Sequence, residues 1–235
     1  MPRRSTKLEQ IILRLEKRYG HPAPPPSANP FELILWEQVA YLADDDQRAK
    51  AFERLRRRVG LKPENILNAP EETLLEITQA GGAIAASERA QRLRKTAMLT
   101  LTGWSGDLRK VLQEPLAKAR KALMKFDSIG EPGAEKILLF ARAYPALALE
   151  SNGLRALVRL GYAEEQKNYG ATYRAVRDAV QGELRQDFDW LIAAHQLLRR
   201  HGQETCKRST PLCEQCPVKE SCNYFQISSK HALRQ

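Results

Sequence analysis

Apolar residues recur along this chain at the three- and four-residue spacing of a helix face, and long strand-like alternation is missing. Near the start, Thr6 and Glu9 spell a capping box ahead of Leu8, Ile11, Ile12, Leu15 and Tyr19. Gly20 and the run His21-Pro22-Ala23-Pro24-Pro25-Pro26 stop that helix. Pro30 opens a second helix through Phe31, Leu33, Ile34 and Val39. The acidic cluster Asp44-Asp45-Asp46 then breaks it and caps a third, from Gln47 to Val59. The same period predicts helices over 70–79, 86–99, 115–125, 133–144, 152–160, 168–183 and 187–200. The expected fold class is therefore all-α. No internal repeat is visible, and the Pro-rich stretch 22–30 is short enough to be a connector.

Composition adds a partner. At 235 residues the chain can hold one large or two small helical domains, and its 38 Lys and Arg against 28 acids leave a net charge of +10. Such an excess points to a polyanion, since each phosphate contact releases counterions and adds sequence-independent affinity. The basic runs Arg54, Arg56, Arg57, Arg58 and Arg89, Arg92, Arg94, Lys95 read singly as solvated helix faces and together as contacts for a DNA backbone. No apolar run is long enough to span a bilayer, so no membrane partner is expected. The expected setting is cytoplasmic, nucleoid-associated if the source is bacterial.

Candidate chemistry starts near the C-terminus, where Cys206, Cys213, Cys216 and Cys222 stand in the spacing C-x6-C-x2-C-x5-C. Pro211 and Pro217 bend the intervening loops, and four thiolates so close in sequence can converge on one metal centre. Zinc and an iron–sulfur cluster both accept this donor set. Zinc ribbons usually supply two C-x2-C hooks; here only Cys213 and Cys216 make one, and the longer outer arms suit a larger object. Disulfides are the alternative, but no signal peptide precedes them, and a helical core of this size has little need of staples.

Upstream, the segment Phe126-Asp127-Ser128-Ile129-Gly130-Glu131-Pro132-Gly133-Ala134-Glu135-Lys136 ends one helix and starts another. Gly130 and Gly133 allow a tight reversal, and Pro132 sits where a first helical turn tolerates a missing N–H. Amides at such a helix start form an anion site suited to a phosphate. By itself the pattern also fits a plain helix corner.

The cysteine spacing resembles the [4Fe-4S] loop of the endonuclease III group of helix-hairpin-helix (HhH-GPD) DNA glycosylases, and the hairpin upstream of it fits the same group. Asn29-Pro30-Phe31-Glu32-Leu33-Ile34-Leu35 and the helix after Gln47 look like the family's first barrel helices. Pro145 to Arg155 looks like the segment that carries its carboxylate, with Glu150 where the family typically has Asp. The likeness runs from about Leu8 to Cys222. It implies a two-lobed protein: a helical barrel over 30–145 carrying the hairpin, a cluster lobe from 1–29 and 146–235, and a substrate cleft between them. It also implies a [4Fe-4S] cluster on the four cysteines, double-stranded DNA as partner, and a monomer.

Two departures shape the expected activity. Bifunctional members carry a lysine nucleophile in the second half of the hairpin, a position that here reads as Ala134; Lys136, two residues on, lies about 200° around the helix. The family's base-stack wedge, often glutamine, is replaced by Tyr41 and Leu42. The implied activity is thus a monofunctional glycosylase that turns out a damaged or mismatched base and hydrolyses its glycosidic bond. Non-catalytic DNA binding on the same scaffold is one alternative, and a lyase using Lys136 is another.

Breaking that bond builds positive charge on the sugar and negative charge on the base, so two differently placed acidic groups are useful. Glu150 is the first candidate, to steady the oxocarbenium ion or position water, and its alternative role is a helix cap. Glu37, on an otherwise apolar helix, resembles in position the glutamate of adenine-specific mismatch glycosylases; it also reads as a solvated face residue. Trp36, Tyr41 and Leu42 are candidates for the base pocket. Gly130, Gly133, Ala134, Lys136, Asn152, Arg155, Lys207 and Arg208 are candidates for contacting DNA, with Lys219 of the cysteine loop as a further cation; Arg155 reads equally as a tie between the two lobes.

Overall fold

The computed structural model describes residues 5–232. Its α-helices are, in chain order, α1 (Lys7–Tyr19), α2 (Pro30–Gln38), α3 (Asp45–Arg58), α4 (Pro63–Asn68), α5 (Glu71–Ala80), α6 (Ala86–Trp104), α7 (Leu116–Leu123), α8 (Glu131–Phe140), α9 (Ser151–Arg159), α10 (Tyr169–Val180), α11 (Phe188–Glu204) and α12 (Asn223–Ala232). Among the described residues there is no strand, so the chain is all-α. No described helix is long and apolar enough to cross a membrane.

The chain divides into two compact units, one taking the segments before Pro25 and after Tyr144, the other Pro25–Tyr144. In the second unit α6 is the hub, with α2, α4 and α5 packed on it. Phe31, Ile34, Leu35, Phe52, Leu55, Ile66, Leu74, Ile77 and Leu93 fill the core. Helix α2 is apolar nearly all round, as a helix enclosed by others must be. Its one buried amide, Gln38, binds two elements at once: Oε1 accepts from Thr96 Oγ1 at 2.9 Å and Nε2 donates to the Asp127 carbonyl at 3.0 Å. This side chain fixes the turn between α7 and α8 against α2 and α6.

In the first unit α9 and α1 both pack on α11. The capping box forms as its spelling requires: Thr6 Oγ1 accepts from the Glu9 amide at 3.2 Å and Glu9 Oε2 accepts from the Thr6 amide at 2.9 Å. Leu8, Ile11, Ile12 and Leu15 are buried behind it. Three described elements carry no clear periodic signal. Helix α4 has six residues, the 3-10 segment Leu108–Gln113 is as short, and α12 follows the cysteines with little apolar patterning. Helix α8 begins at Glu131, two residues before the expected start, and places Gly133 inside its first turn.

Replacing Gln38 by Ala leaves a buried hydroxyl and a carbonyl without their partner, and should lower stability by about 2 kcal/mol. Urea unfolding should show a lower midpoint at an unchanged slope.

Candidate functional site

The hairpin in the Pro25–Tyr144 unit is built differently from its glycine pattern. Ser128 makes the reversal, with φ +67°, and the Ile129 amide closes the turn on the Phe126 carbonyl at 3.1 Å. Gly130 is an extended cap at φ −87°, and a Cβ on Gly133 would meet Ile129 Cγ2 at 3.5 Å, an ordinary contact. Neither glycine is required by the turn itself. The Gly133 amide precedes the first bond of the helical ladder and stays at the helix mouth. Ala134 is a correction: its amide donates to the Gly130 carbonyl at 2.9 Å and its methyl is fully buried, so it offers a phosphate nothing.

Arg120, which the sequence reading passed over, ties α7 to α8 through Glu131 and buried Glu135, each at 2.8 Å. One turn further along α8, the Lys136 ammonium lies 2.7 Å from a carboxylate oxygen of Glu37 on α2, with the two side chains 16% and 23% exposed. Two candidates that are distant in sequence thus meet as a largely desolvated ion pair. The half-buried Trp36 ring stands edge-on to Phe52 at 5.3 Å, beside the Arg48 guanidinium. Tyr41 and Leu42, in the loop after α2, are exposed.

The basic faces are also partly corrected. Arg56 and Arg57 pair with Glu53, and Arg58 with Glu76, all at the surface. Arg94 donates to the carbonyls of Leu67 and Ala69, and Arg89 is buried.

In the other unit Glu150 is the N-cap of α9. Oε1 accepts from the Gly153 amide at 2.7 Å and Oε2 from Asn152 Nδ2 at 2.8 Å, so the carboxylate is held in one orientation by both oxygens. Asn152 is itself fixed, because its Oδ1 accepts from Arg155 Nη2 at 2.8 Å. Arg155 also donates to the Gly202 carbonyl at 2.7 Å and, through Nε, to the Cys206 carbonyl at 3.0 Å. Asn152 and Arg155 are therefore corrected from phosphate ligands to internal supports, linking the first cysteine to the carboxylate. Gly202 makes this possible, since a Cβ there would lie 2.4 Å from the Asn152 carbonyl oxygen. Tyr169, at the start of α10, is 46% exposed, and its partial burial together with the Glu150 charge raises its phenol above the usual range. It drew no attention in the sequence because a lone tyrosine carries no pattern.

The four cysteines are free thiols lining one cavity, together with Leu160, Leu212, Val218 and Phe225. Among the described residues no group of three or more His, Cys, Asp or Glu stands close enough to hold a metal ion. Burial, with the neighbouring Cys222, Cys206 and Cys213, pushes the Cys216 thiol up to about 11. Arg159 Nη1 lies 3.4 Å from Cys206 Sγ, and His201 Nε2 lies 3.8 Å from Cys216 Sγ. Burial lowers His201 to about 4, which leaves it neutral at pH 7. Arg159 also holds the carbonyls of Lys207 and Arg208 at 2.7 and 3.0 Å, while the two residues are exposed. Four thiols around an apolar cavity, with a cation beside one of them, are a soft donor set of the kind that thiolate-bound metal centres take.

No family model matches the chain. The endonuclease III of Sulfolobus acidocaldarius is 24% identical to it over 204 residues, 86% of each chain. A trapped endonuclease III–DNA covalent intermediate superposes with a TM-score of 0.73 at 20% identity, covering 95% of this chain and 97% of the other. A thermostable thymine-DNA glycosylase superposes with a TM-score of 0.72 at 16% identity, covering 94% and 95%. These likenesses show the fold.

A double-mutant cycle on Glu37→Gln and Lys136→Met should return a coupling of about 1 kcal/mol or more, above the value usual for exposed pairs. Additive losses in thermal melts would show that the pair contributes nothing.

Proposed function

The chain belongs to the helix-hairpin-helix (HhH-GPD) DNA glycosylase superfamily, and on that premise we propose that it is a monofunctional DNA glycosylase, with Glu150 as the principal catalytic carboxylate. The observation that carries this reading is the double anchoring of Glu150, by a backbone amide at a helix start and by Asn152, itself locked by Arg155. A carboxylate fixed before substrate arrives stabilises developing positive charge without reorganising at the moment of reaction. As the C1′–N bond breaks, its electron pair leaves with the base, and Glu150 faces the cationic sugar. Water adds its oxygen to C1′, one of its protons is lost to solvent, and the departing base takes up a proton.

Glu37 is the second acidic group in this scheme, and its pairing with Lys136 supports the hydrolytic side of the reading. An ammonium held against a carboxylate is a poor nucleophile toward an abasic sugar, which favours hydrolysis over imine formation. The Gly133 amide and the exposed Lys207 and Arg208 supply contacts to the phosphate backbone of double-stranded DNA. On this reading Cys206, Cys213, Cys216 and Cys222 hold a [4Fe-4S] cluster, which when bound braces the 206–222 loop. Arg155, through the Cys206 carbonyl, connects that brace to the support of Glu150.

Purified protein should be yellow-brown and contain about four iron atoms per chain and no zinc, the composition of such a cluster. One zinc and no iron would replace the assignment. Glu150→Gln should keep the fold and DNA affinity but slow base release by about a hundredfold or more, the scale for losing one electrostatic contributor. A panel of single-lesion duplexes, read with and without alkali, names the base and checks the mechanism. The product should be an unbroken strand until alkali is added, and Lys136→Ala should leave base release nearly intact. Strand scission without alkali, or borohydride trapping that Lys136→Ala abolishes, would make the enzyme a lyase. Full activity in Glu150→Gln would move the chemistry to Glu37.

A further inference from the structure

Between Tyr144 and α9 the chain runs outside any helix, yet Leu147, Ala148 and Leu149 are each no more than 1% exposed. A segment buried in this way turns main-chain oxygens toward the protein interior, where each needs a donor. The Ala148 carbonyl, two residues before Glu150, finds one in a side chain. His195 of α11 is 3% exposed, and its Nδ1 lies 2.7 Å from the Ala148 oxygen. A carbonyl cannot donate, so Nδ1 carries the proton, and the bond is available to the ring in either charge state.

Nothing in the base-release chemistry calls on this histidine, but its place on α11 supplies a role. Gly202 stands seven residues further along the same helix, two turns on and on the same face, and its carbonyl accepts from Arg155 Nη2 at 2.7 Å. Between them, Leu198 meets the first turn of α9, where a Cβ on Gly153 would lie 3.4 Å from Leu198 Cβ. One face of one helix therefore grips the chain on both sides of Glu150.

The direction of the carboxylate depends on both grips. Its hydrogen bonds to the Gly153 amide and to Asn152 set the side chain relative to α9. Where residue 150 enters that turn is set from the other side. Two extended residues span about 7 Å, so a carbonyl held at 148 leaves the backbone at 150 little freedom. A reacting group misplaced by about 1 Å costs on the order of a hundredfold in rate, and a support of this kind thus bears on chemistry as well as on packing.

We propose that His195 is a positioning residue for Glu150: by holding the Ala148 carbonyl it sets where the carboxylate stands as positive charge develops on the sugar. The proposal rests on the glycosylase reading of Glu150 and adds a support from its N-terminal side, where the Arg155–Asn152 chain acts from its C-terminal side. His195 acts only through the main chain from 148 to 150.

The test does not require the base to be known. The full chain is bound to two duplexes of one sequence, one with a tetrahydrofuran abasic analogue and one with a pyrrolidine in the same place, whose protonated nitrogen mimics the cationic sugar. The parent should prefer the pyrrolidine duplex, and Glu150→Gln should abolish the preference by removing the opposing charge. His195→Leu, apolar and similar in size, should lose about tenfold of that preference while affinity for the tetrahydrofuran duplex stays within about twofold. His195→Asn, whose amide nitrogen stands nearly where Nδ1 does, should recover most of the loss. Added to Glu150→Gln, His195→Leu should change the preference no further, as when one residue acts through another. If His195→Leu does not fold by circular dichroism, His195→Gln, which carries its amide one methylene further out, takes its place and should show the same loss. A folded variant that melts lower but keeps the parental preference would overturn the proposal, and so would an equal loss of affinity for both duplexes, since either marks a residue of the core alone. A parent indifferent to the pyrrolidine, or Glu150→Gln with the preference intact, would instead remove Glu150 as the catalytic carboxylate, and this proposal with it.

Discussion

The contact on which the rest of this fold depends is the guanidinium donating to main-chain carbonyls. An all-helical chain leaves carbonyls without partners at every helix end and loop, and burying them unpaired is costly. Here arginines supply the donors. Arg48 takes the carbonyl of Trp36, Arg89 those of two loops, Arg94 those at the end of α4, Arg155 that of Gly202 and Arg159 those of the cysteine loop. A guanidinium suits the task because its planar fork reaches several acceptors at once and is less strongly hydrated than an ammonium. Part of the chain's positive charge is therefore internal scaffolding and is not available to a polyanion.

The same device organises the chemistry. Arg155 bridges the Cys206 carbonyl and Asn152, and Asn152 in turn holds Glu150. The carboxylate is thus oriented by a chain of fixed hydrogen bonds that starts at a candidate metal ligand, a side chain positioned by a second layer as reactive groups commonly are. Glutamate in a role that the family resemblance gives to aspartate has a physical consequence. The longer side chain reaches both the Gly153 amide and the Asn152 amide, and capping and orientation are one arrangement rather than competing uses.

Around the hairpin, a lysine that could act as a nucleophile is drawn to a carboxylate on α2. Lys136 and Glu37 neutralise each other where little water reaches them, and Arg120 does the same for Glu135, the residue before Lys136. The hairpin's own reversal rests on Ser128, and the Gly133 amide lies ahead of the first helical bond of α8. The charge pattern of α8 therefore serves the packing of the hairpin.

The sequence by itself determined what depends on local spacing. Helical periodicity, the Thr6–Glu9 capping box, the proline stops and the all-α class follow from side chains three and four residues apart, which interact wherever the helix sits. The closeness of the four cysteines was legible for the same reason, since their arms are short enough to meet without the rest of the fold. The tertiary structure alone decided the direction of each charged side chain. Arg89, Arg94 and Arg155 read as surface cations in one dimension and are internal in three. Ala134 lost its amide to the helix, and Lys136 found Glu37. A charge written in a sequence specifies a need for partners, and which partner meets it depends on contacts between residues that only the packed chain brings within hydrogen-bonding distance.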